Sequence, residues 1–178
     1  MFGSKETLVV RLPKNATLHD AGLDIVMSAS SKACRAGGSG SFTQYPFGGA
    51  YSAFRFQWLY LGSEIGCNGT LDKIGFGYFS LGGETNTTYS NAKVILVKTT
   101  RTSLGNNFAN NYGGATPVTV LSGNVVGVPT GSYLEFDVNN TVYYDTSKNL
   151  LIEMSFNGIS GSYFWNTYSS ASFIKTAY

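Results

Sequence analysis

Between Tyr45 and Ser80 the chain reads YPFGGAYSAFRFQWLYLGSEIGCNGTLDKIGFGYFS, and two parts of this stretch alternate aromatic and other residues in steps of two. Phe54, Phe56, Trp58 and Tyr60 fall on one side of an extended chain, with Arg55, Gln57, Leu59 and Leu61 on the other. Ile74, Phe76 and Tyr78 alternate in the same way with Lys73, Gly75 and Gly77. A period of two belongs to a strand. The pattern predicts paired β-structure over Phe54–Leu61 and Leu71–Ser80 with one large apolar face, joined through a helical turn at Ser63–Gly66. The bare side at Gly75 and Gly77 predicts a bulge or the close approach of another segment.

Further strands follow at intervals of roughly 8 to 14 residues, set apart by turn residues. Ala92–Val97 (AKVILV) is apolar on both phases, as in a central strand covered on both faces. Pro117–Val128 predicts one or two strands interrupted at Gly123-Asn124. Tyr133–Val138 points Leu134, Phe136 and Val138 inward and Glu135 and Asp137 outward, with a turn at Asn139–Thr141 and a short strand at Val142–Tyr144. Asn149–Phe156 repeats the pattern, with Glu153 outward, and Ser162–Tyr168 and Ser172–Tyr178 close the series. About ten or eleven strands without an amphipathic helix predict an all-β fold, a two-sheet β-sandwich of jelly-roll or Greek-key type over residues 42–178. Ser103–Gly114, rich in Asn and Gly and without periodicity, is a candidate ligand loop.

Residues 1–41 read as an arm. Thr7, Leu8, Val9, Val10, Arg11 and Leu12 form one strand candidate, and Leu23–Met27, with Leu23, Ile25 and Met27 alternating, forms a second. Ser28–Ser41 (SASSKACRAGGSGS) has the small-residue composition of a flexible linker. Two destinations suit the arm: its own sandwich, as an added strand pair, or the sheet edge of a neighbouring subunit. The second would propagate head to tail into an open filament unless its rotation closes a ring.

Charged residues make up only 12% of the 178, half the roughly 25% usual for a soluble domain. A surface built instead of Ser, Thr, Asn, Gly and Tyr suits an extracellular β-protein with little charge repulsion against self-association. The formal charge is +2 and the twelve basic residues are scattered, which argues against a nucleic-acid partner. No apolar run reaches the roughly 18 residues that a membrane-spanning helix needs. Met1–Asp20 shows neither the charged n-region nor the apolar h-region of a secretory signal.

Cys34 and Cys67 are the only cysteines. They are either two free thiols or one bridge, closing a loop of about 34 residues for roughly 3–4 kcal/mol. A lone pair does not make a structural zinc site. Sequons at Asn15, Asn68, Asn86 and Asn139 are candidate glycosylation sites.

The succession YPF, RFQWLYLGSEIG, LDKIGFGYFS, NAKVILVKTTRTSLGNNF, TPVTVLSG, SYLEFDV and NLLIEMSFNG resembles, in order and spacing, a β-sandwich domain family of large secreted and surface proteins of environmental bacteria, where it accompanies adhesion-like repeats. The resemblance covers about residues 45–158. It rests best on the YxxSE element (Tyr60, Ser63, Glu64) and on the NLLIE element at Asn149–Glu153. It implies a sandwich and secretion, and names no catalytic residue. Cys67 stands where such domains carry a small residue.

Chemistry is thinly written. His19, the single histidine, lies beside Asp20 in the arm and reads as a solvated turn residue rather than as a general base for a serine or for Cys34 or Cys67. Glu135 and Glu153, on strands that are candidate neighbours, form a candidate carboxylate pair, yet both take the outward phase, where charge keeps a sheet soluble. Glu64, Asp72, Glu84, Asp137 and Asp145 are weak candidate Ca²⁺ ligands without an organising motif, and Glu64 reads better as a clamp on its own turn. Tyr112, Tyr163, Trp165 and Tyr168 are candidates for an aromatic sugar platform, with Tyr112 and Trp165 foremost. The leading expectation is a non-enzymatic, extracellular structural subunit that polymerises with its own copies by donating an N-terminal strand. The alternative is a secreted carbohydrate-binding or adhesive module with cell-surface glycans as partners.

Overall fold

A computed structural model of the protein describes residues 25–29, 32–36, 41–43, 47, 52–79, 84–168 and 173–177, with the backbone alone for 25–43, 79, 165–168 and 173–177. Twelve strands appear there: β1 (Ile25–Ala29), β2 (Lys32–Ala36), β3 (Ser41–Thr43), β4 (Phe54–Tyr60), β5 (Gly69–Phe79), β6 (Thr87–Thr99), β7 (Val118–Thr130), β8 (Tyr133–Tyr144), β9 (Asn149–Phe156), β10 (Ile159–Ser160), β11 (Trp165–Tyr168) and β12 (Phe173–Ala177). One helical turn, α1 (Gly62–Ile65), links β4 to β5. The class is all-β, as the periodicity predicts.

The strands form one antiparallel sheet in the order β12-β4-β9-β6-β7-β8-β5-β1-β2, with β10 on β6 and β11 between β3 and β5. The sheet curls on itself. Trp58 of β4 and Phe76 of β5 meet with ring centroids 4.9 Å apart, although β9, β6, β7 and β8 separate their strands in the sheet. Strand β7 makes the corner: it pairs with β6 from Val118 to Gly127, and its last residues, Val128–Thr130, pair with β8. Gly127 stands where the corner is tightest, and a Cβ there would lie 2.8 Å from the Leu134 side chain. Curling hides the apolar face of each strand against the face opposite, which is why alternation in the sequence reports it.

The enclosed core is aromatic. Phe54, Phe56, Trp58 and Tyr60, with Tyr89 of β6 on the same wall, meet Phe76 and Phe136 from the other. Phe47, fully buried, fills the centre, with ring centroids 5.2 Å from Phe76, 5.4 Å from Tyr89 and 6.0 Å from both Phe56 and Phe136. Each such side chain contributes about 1.5–3 kcal/mol by leaving water.

Three local readings are corrected and one, left open between one strand and two, is decided. β4 and β5 are not paired with each other: β4 hydrogen-bonds β9 and β12, and β5 hydrogen-bonds β8, β1 and β11. The α1 turn carries the chain from one wall of the core to the other, with Gly62 so close to the Thr146 carbonyl that no side chain fits. Asn139–Thr141 does not turn the chain, because β8 runs on to Tyr144 and residues 138–141 slip out of register opposite Leu71–Lys73 as a bulge. Pro117–Val128 gives one strand, bent at Gly123 with φ 107°. Ser28–Ser41 is not solely linker, since it contains β2, whose hairpin with β1 continues the sheet beyond β5. Backbone pairing therefore crosses the boundary expected at residues 41/42. Thr7–Leu12 and Leu23 lie outside the described residues.

Cys67 is buried and disulfide-bonded. The only other cysteine of the sequence is Cys34, on β2, which runs beside α1.

Candidate functional site

The outward phase of β4, β9 and β6 carries three rows of side chains in register. Leu59, Leu151 and Val97 make an apolar row, Gln57, Glu153 and Ile95 a mixed row, and Arg55, Ser155 and Lys93 a polar row. An apolar row on the outside of a sheet needs a cover, and the segment 100–117 supplies it. Leu104, Tyr112 and Ala115 pack on Leu59, Ile95, Val97 and Leu151 in a second, smaller core.

The cover is held by polar bonds. A 3₁₀ turn at Asn110–Tyr112 ends at Gly113, whose φ of 64° only glycine adopts cheaply. The turn drops the Asn111 side chain into the sheet, where Nδ2 donates to Gln57 Oε1 at 2.8 Å and to the Gly105 carbonyl at 2.9 Å, while Oδ1 accepts the Gly105 N–H at 2.8 Å. Gln57 Nε2 donates to the Phe108 carbonyl at 3.0 Å and to Glu153 Oε2 at 2.6 Å. Tyr112 donates its hydroxyl to the same Glu153 oxygen at 2.9 Å.

Arg55 completes the cluster. Its Nε and Nη2 both reach Glu153 Oε1 at 2.9 Å, and Phe108 lies against the guanidinium face, 4.5 Å from carbon to ring centroid. Glu153 is 3% exposed, so an uncompensated charge would be expensive here; every oxygen is occupied instead. Partial burial opposes the Arg55 charge, but the Glu153 carboxylate outweighs it and holds the guanidinium pKa above its ordinary value. For Tyr112, burial and then the Glu153 carboxylate push the phenol pKa up. Both effects keep Arg55 charged and Tyr112 neutral across the neutral range.

The cover stops at Tyr112, and the polar row stays open. A groove of about 460 Å³ runs there, floored by Ser155 between Arg55 and Lys93 and closed by Tyr112 and Glu153 at one end and by Asn91 and Asn157 at the other. Asn91, at φ 48° beside a β6 bulge, donates its amide to Asn157 Oδ1 at 2.9 Å. The arrangement presents amides, a hydroxyl, two cations and a phenol edge, the groups that hold a polar, hydroxyl-rich ligand.

No family model, no curated protein and no solved structure matches the chain.

The sequence candidates scatter around it. Tyr112 forms a groove wall, whereas Trp165 is described only in its backbone, paired with Phe79 of β5. Tyr163 is 57% exposed but lies away from the groove lining. Glu153 and Glu135 are corrected twice. They are not on neighbouring strands, since β6 and β7 stand between β9 and β8, and neither is a solvated outward charge. Glu135 is 5% exposed and takes Lys73 Nζ at 3.0 Å, with Asp137 at 3.5 Å from the same amine.

Glu64 accepts the Leu61 N–H at 2.6 Å and so clamps the start of α1. Asp145 accepts from both the N–H and the hydroxyl of Ser147, which holds its carboxyl below the ordinary carboxylate range. Among the described residues no three acidic, His or Cys side chains converge on a metal position, and Glu64, Asp72, Glu84, Asp137 and Asp145 do not group. Asn68, Asn86 and Asn139 are exposed, with Asn68 Oδ1 accepting the Thr146 N–H at 2.8 Å; Asn15 and His19 lie outside the described residues.

Arg55, Gln57, Lys93, Asn111 and Ser155 are site residues that belong to no sequence motif. The available signal was Leu59, Ile95, Val97 and Leu151 on the outward phase: apolar side chains there require a cover, and Ser103–Gly114 is the long loop at hand.

Proposed function

We propose that the protein is a non-enzymatic carbohydrate-binding or adhesive module of the extracellular space, and that the groove beside Tyr112 is its contact surface. The observation that carries this reading is the open row Arg55–Ser155–Lys93, left bare next to a sheet face that is otherwise covered. Its walls hold one carboxylate, Glu153, already bonded on both oxygens. Glycoside hydrolysis asks for two carboxylates with free protonation chemistry, so binding suits the groove better than cleavage. The Cys67 disulfide, the weak charge and the resemblance to surface-protein modules support an extracellular setting. We read the curled sheet as a jelly-roll-type sandwich. Affinity electrophoresis through gels containing soluble polysaccharides tests the reading: at least one polymer retards the wild type and not Ser155→Trp, which fills the groove. Equal mobility in every gel overturns it.

One feature favours a second reading, a structural subunit polymerising with copies of itself. Among the described residues the sheet ends in β2 on one side and β12 on the other, edges to which a donated strand can add. Ile25 and Met27 belong to a strand paired with β5 of its own chain, so the donor in this reading is Thr7–Leu12. Electron microscopy of the whole chain beside one beginning at Leu23 tests it: filaments are expected from the whole chain alone, and their absence from both rejects it.

A further inference from the structure

Resting on the carbohydrate-binding reading, we infer that the groove selects anionic sugars, those bearing a carboxylate or a sulfate, over neutral ones. The argument is local charge and geometry. Arg55 and Lys93 stand in register on either side of Ser155, one strand removed on each side, which places their backbones roughly 10 Å apart. The small serine leaves the space between them open, at about the width of one sugar ring.

The two cations are not equivalent. Glu153 takes the Nε and Nη2 edge of Arg55 and Phe108 takes a face, so the guanidinium is fixed in place and its charge is balanced. A guanidinium carries five N–H donors, and Arg55, a third exposed, lines the groove with donors beyond that edge. Lys93 is exposed and forms no ion pair with a carboxylate among the described residues. Two cations against the single carboxylate of the lining leave one positive charge unbalanced in the groove. A neutral sugar would leave that charge unused, whereas an acidic group would meet a mobile ammonium on one side and a fixed fork on the other. At the far end, the Asn91–Asn157 amide pair offers donors and acceptors to the hydroxyls of an adjoining ring.

Affinity gels with dextran, dextran sulfate and polygalacturonate provide the test, with the whole disulfide-bonded protein as sample. The two acidic arms separate sulfate from carboxylate, and retardation by either beyond that by dextran is the expected result. Lys93→Ala should weaken it about tenfold, the scale of one charge-assisted hydrogen bond, and Lys93→Arg should largely restore it. Lys98→Ala removes an exposed lysine outside the groove lining and should change nothing. If Lys98→Ala weakens binding as much as Lys93→Ala, the attraction is diffuse net charge and the inference is overturned. Retardation by dextran equal to that by the acidic polymers overturns it too while leaving the carbohydrate-binding reading intact, and mobility unchanged in all three gels overturns the inference and counts against that reading.

Discussion

Glu135 and Glu153 occupy the same place in the sequence pattern and opposite places in the energetics. Both take the outward phase of a strand, and both are almost wholly removed from solvent. Glu153 has the cover loop above it and accepts from Arg55, Gln57 and Tyr112, so each oxygen is satisfied. Glu135 lies opposite Gly75 and Val128 in the ladders, bonds only through Oε2 to Lys73, and leaves Oε1 buried without a hydrogen-bond partner. A buried carboxylate thus acts in two ways here. One ties the covering loop to the sheet; the other is a weakly compensated charge at the margin.

The largest effect that separates them should come from Glu153→Gln. The amide offers one acceptor oxygen and a donor group to a site built from donors, so Arg55, Gln57 and Tyr112 cannot all be satisfied. With Arg55 a third exposed and the charge term discounted accordingly, a loss of about 2–3 kcal/mol is expected in urea unfolding. A loss below about 0.5 kcal/mol would show that the cluster does not anchor the loop.

Asn111→Ala sharpens the same side of the comparison. It removes the three bonds by which the 3₁₀ turn reaches Gln57 and Gly105, and strands the amide oxygen of the fully buried Gln57. A cost of about 2 kcal/mol is expected, together with faster amide exchange in segment 100–117 and unchanged exchange in β5 and β8. Uniform acceleration across the sheet would mean that the loop and the main core unfold as one unit.

How much of this the sequence displays follows from which periodicities it obeys. The inner faces of β4 and β9 alternate without exception, so Phe54 to Tyr60 and Leu150 to Phe156 place themselves, whereas β5 and β6 change phase at their bulges, from Leu71 to Ile74 and from Tyr89 to Ala92. Alternation says which face a residue takes, not what lies over that face. Glu153 and Glu135 look solvated because the pattern carries no trace of a cover, and segment 100–117 has no period of its own to betray where it docks. Strand neighbours are equally hidden, since β4 and β5 are joined by a short turn yet stand on opposite walls of the core. Asn139–Thr141 reads as a turn because polar residues mark turns and bulges alike. Gln57 and Asn111, which hold the loop, are ordinary amides until the fold brings them to 2.8 Å.

On the other side of the comparison, Glu135→Gln should cost less than about 1 kcal/mol, because Lys73 is a third exposed and the carboxylate already carries an unsatisfied oxygen. A cost equal to that of Glu153→Gln would erase the distinction between the two carboxylates.

The smallest effect is also the most diagnostic, because it uses the cations. Partial burial opposes the Lys73 charge, but its bond to Glu135 and the charges of Glu135 and Asp137 outweigh that and raise its pKa above 10.5. A raised folded-state pKa means stabilisation that is fully present below the ordinary lysine value and is lost as pH climbs through the raised one. Arg55, raised above the ordinary arginine value, keeps its charge throughout that window. Alkaline pH should therefore loosen the Glu135 pair while the Glu153 ion pair persists. Comparing Lys73→Arg with the wild type cancels the other lysines and tyrosines that titrate together. The stability difference should be flat at neutral pH and move in favour of the arginine variant, by a few tenths of a kcal/mol, above about pH 10.5. A difference that stays flat up to the alkaline limit of folding would mean that the Lys73 pair contributes nothing, leaving Glu135 as a buried charge held by the surrounding sheet alone.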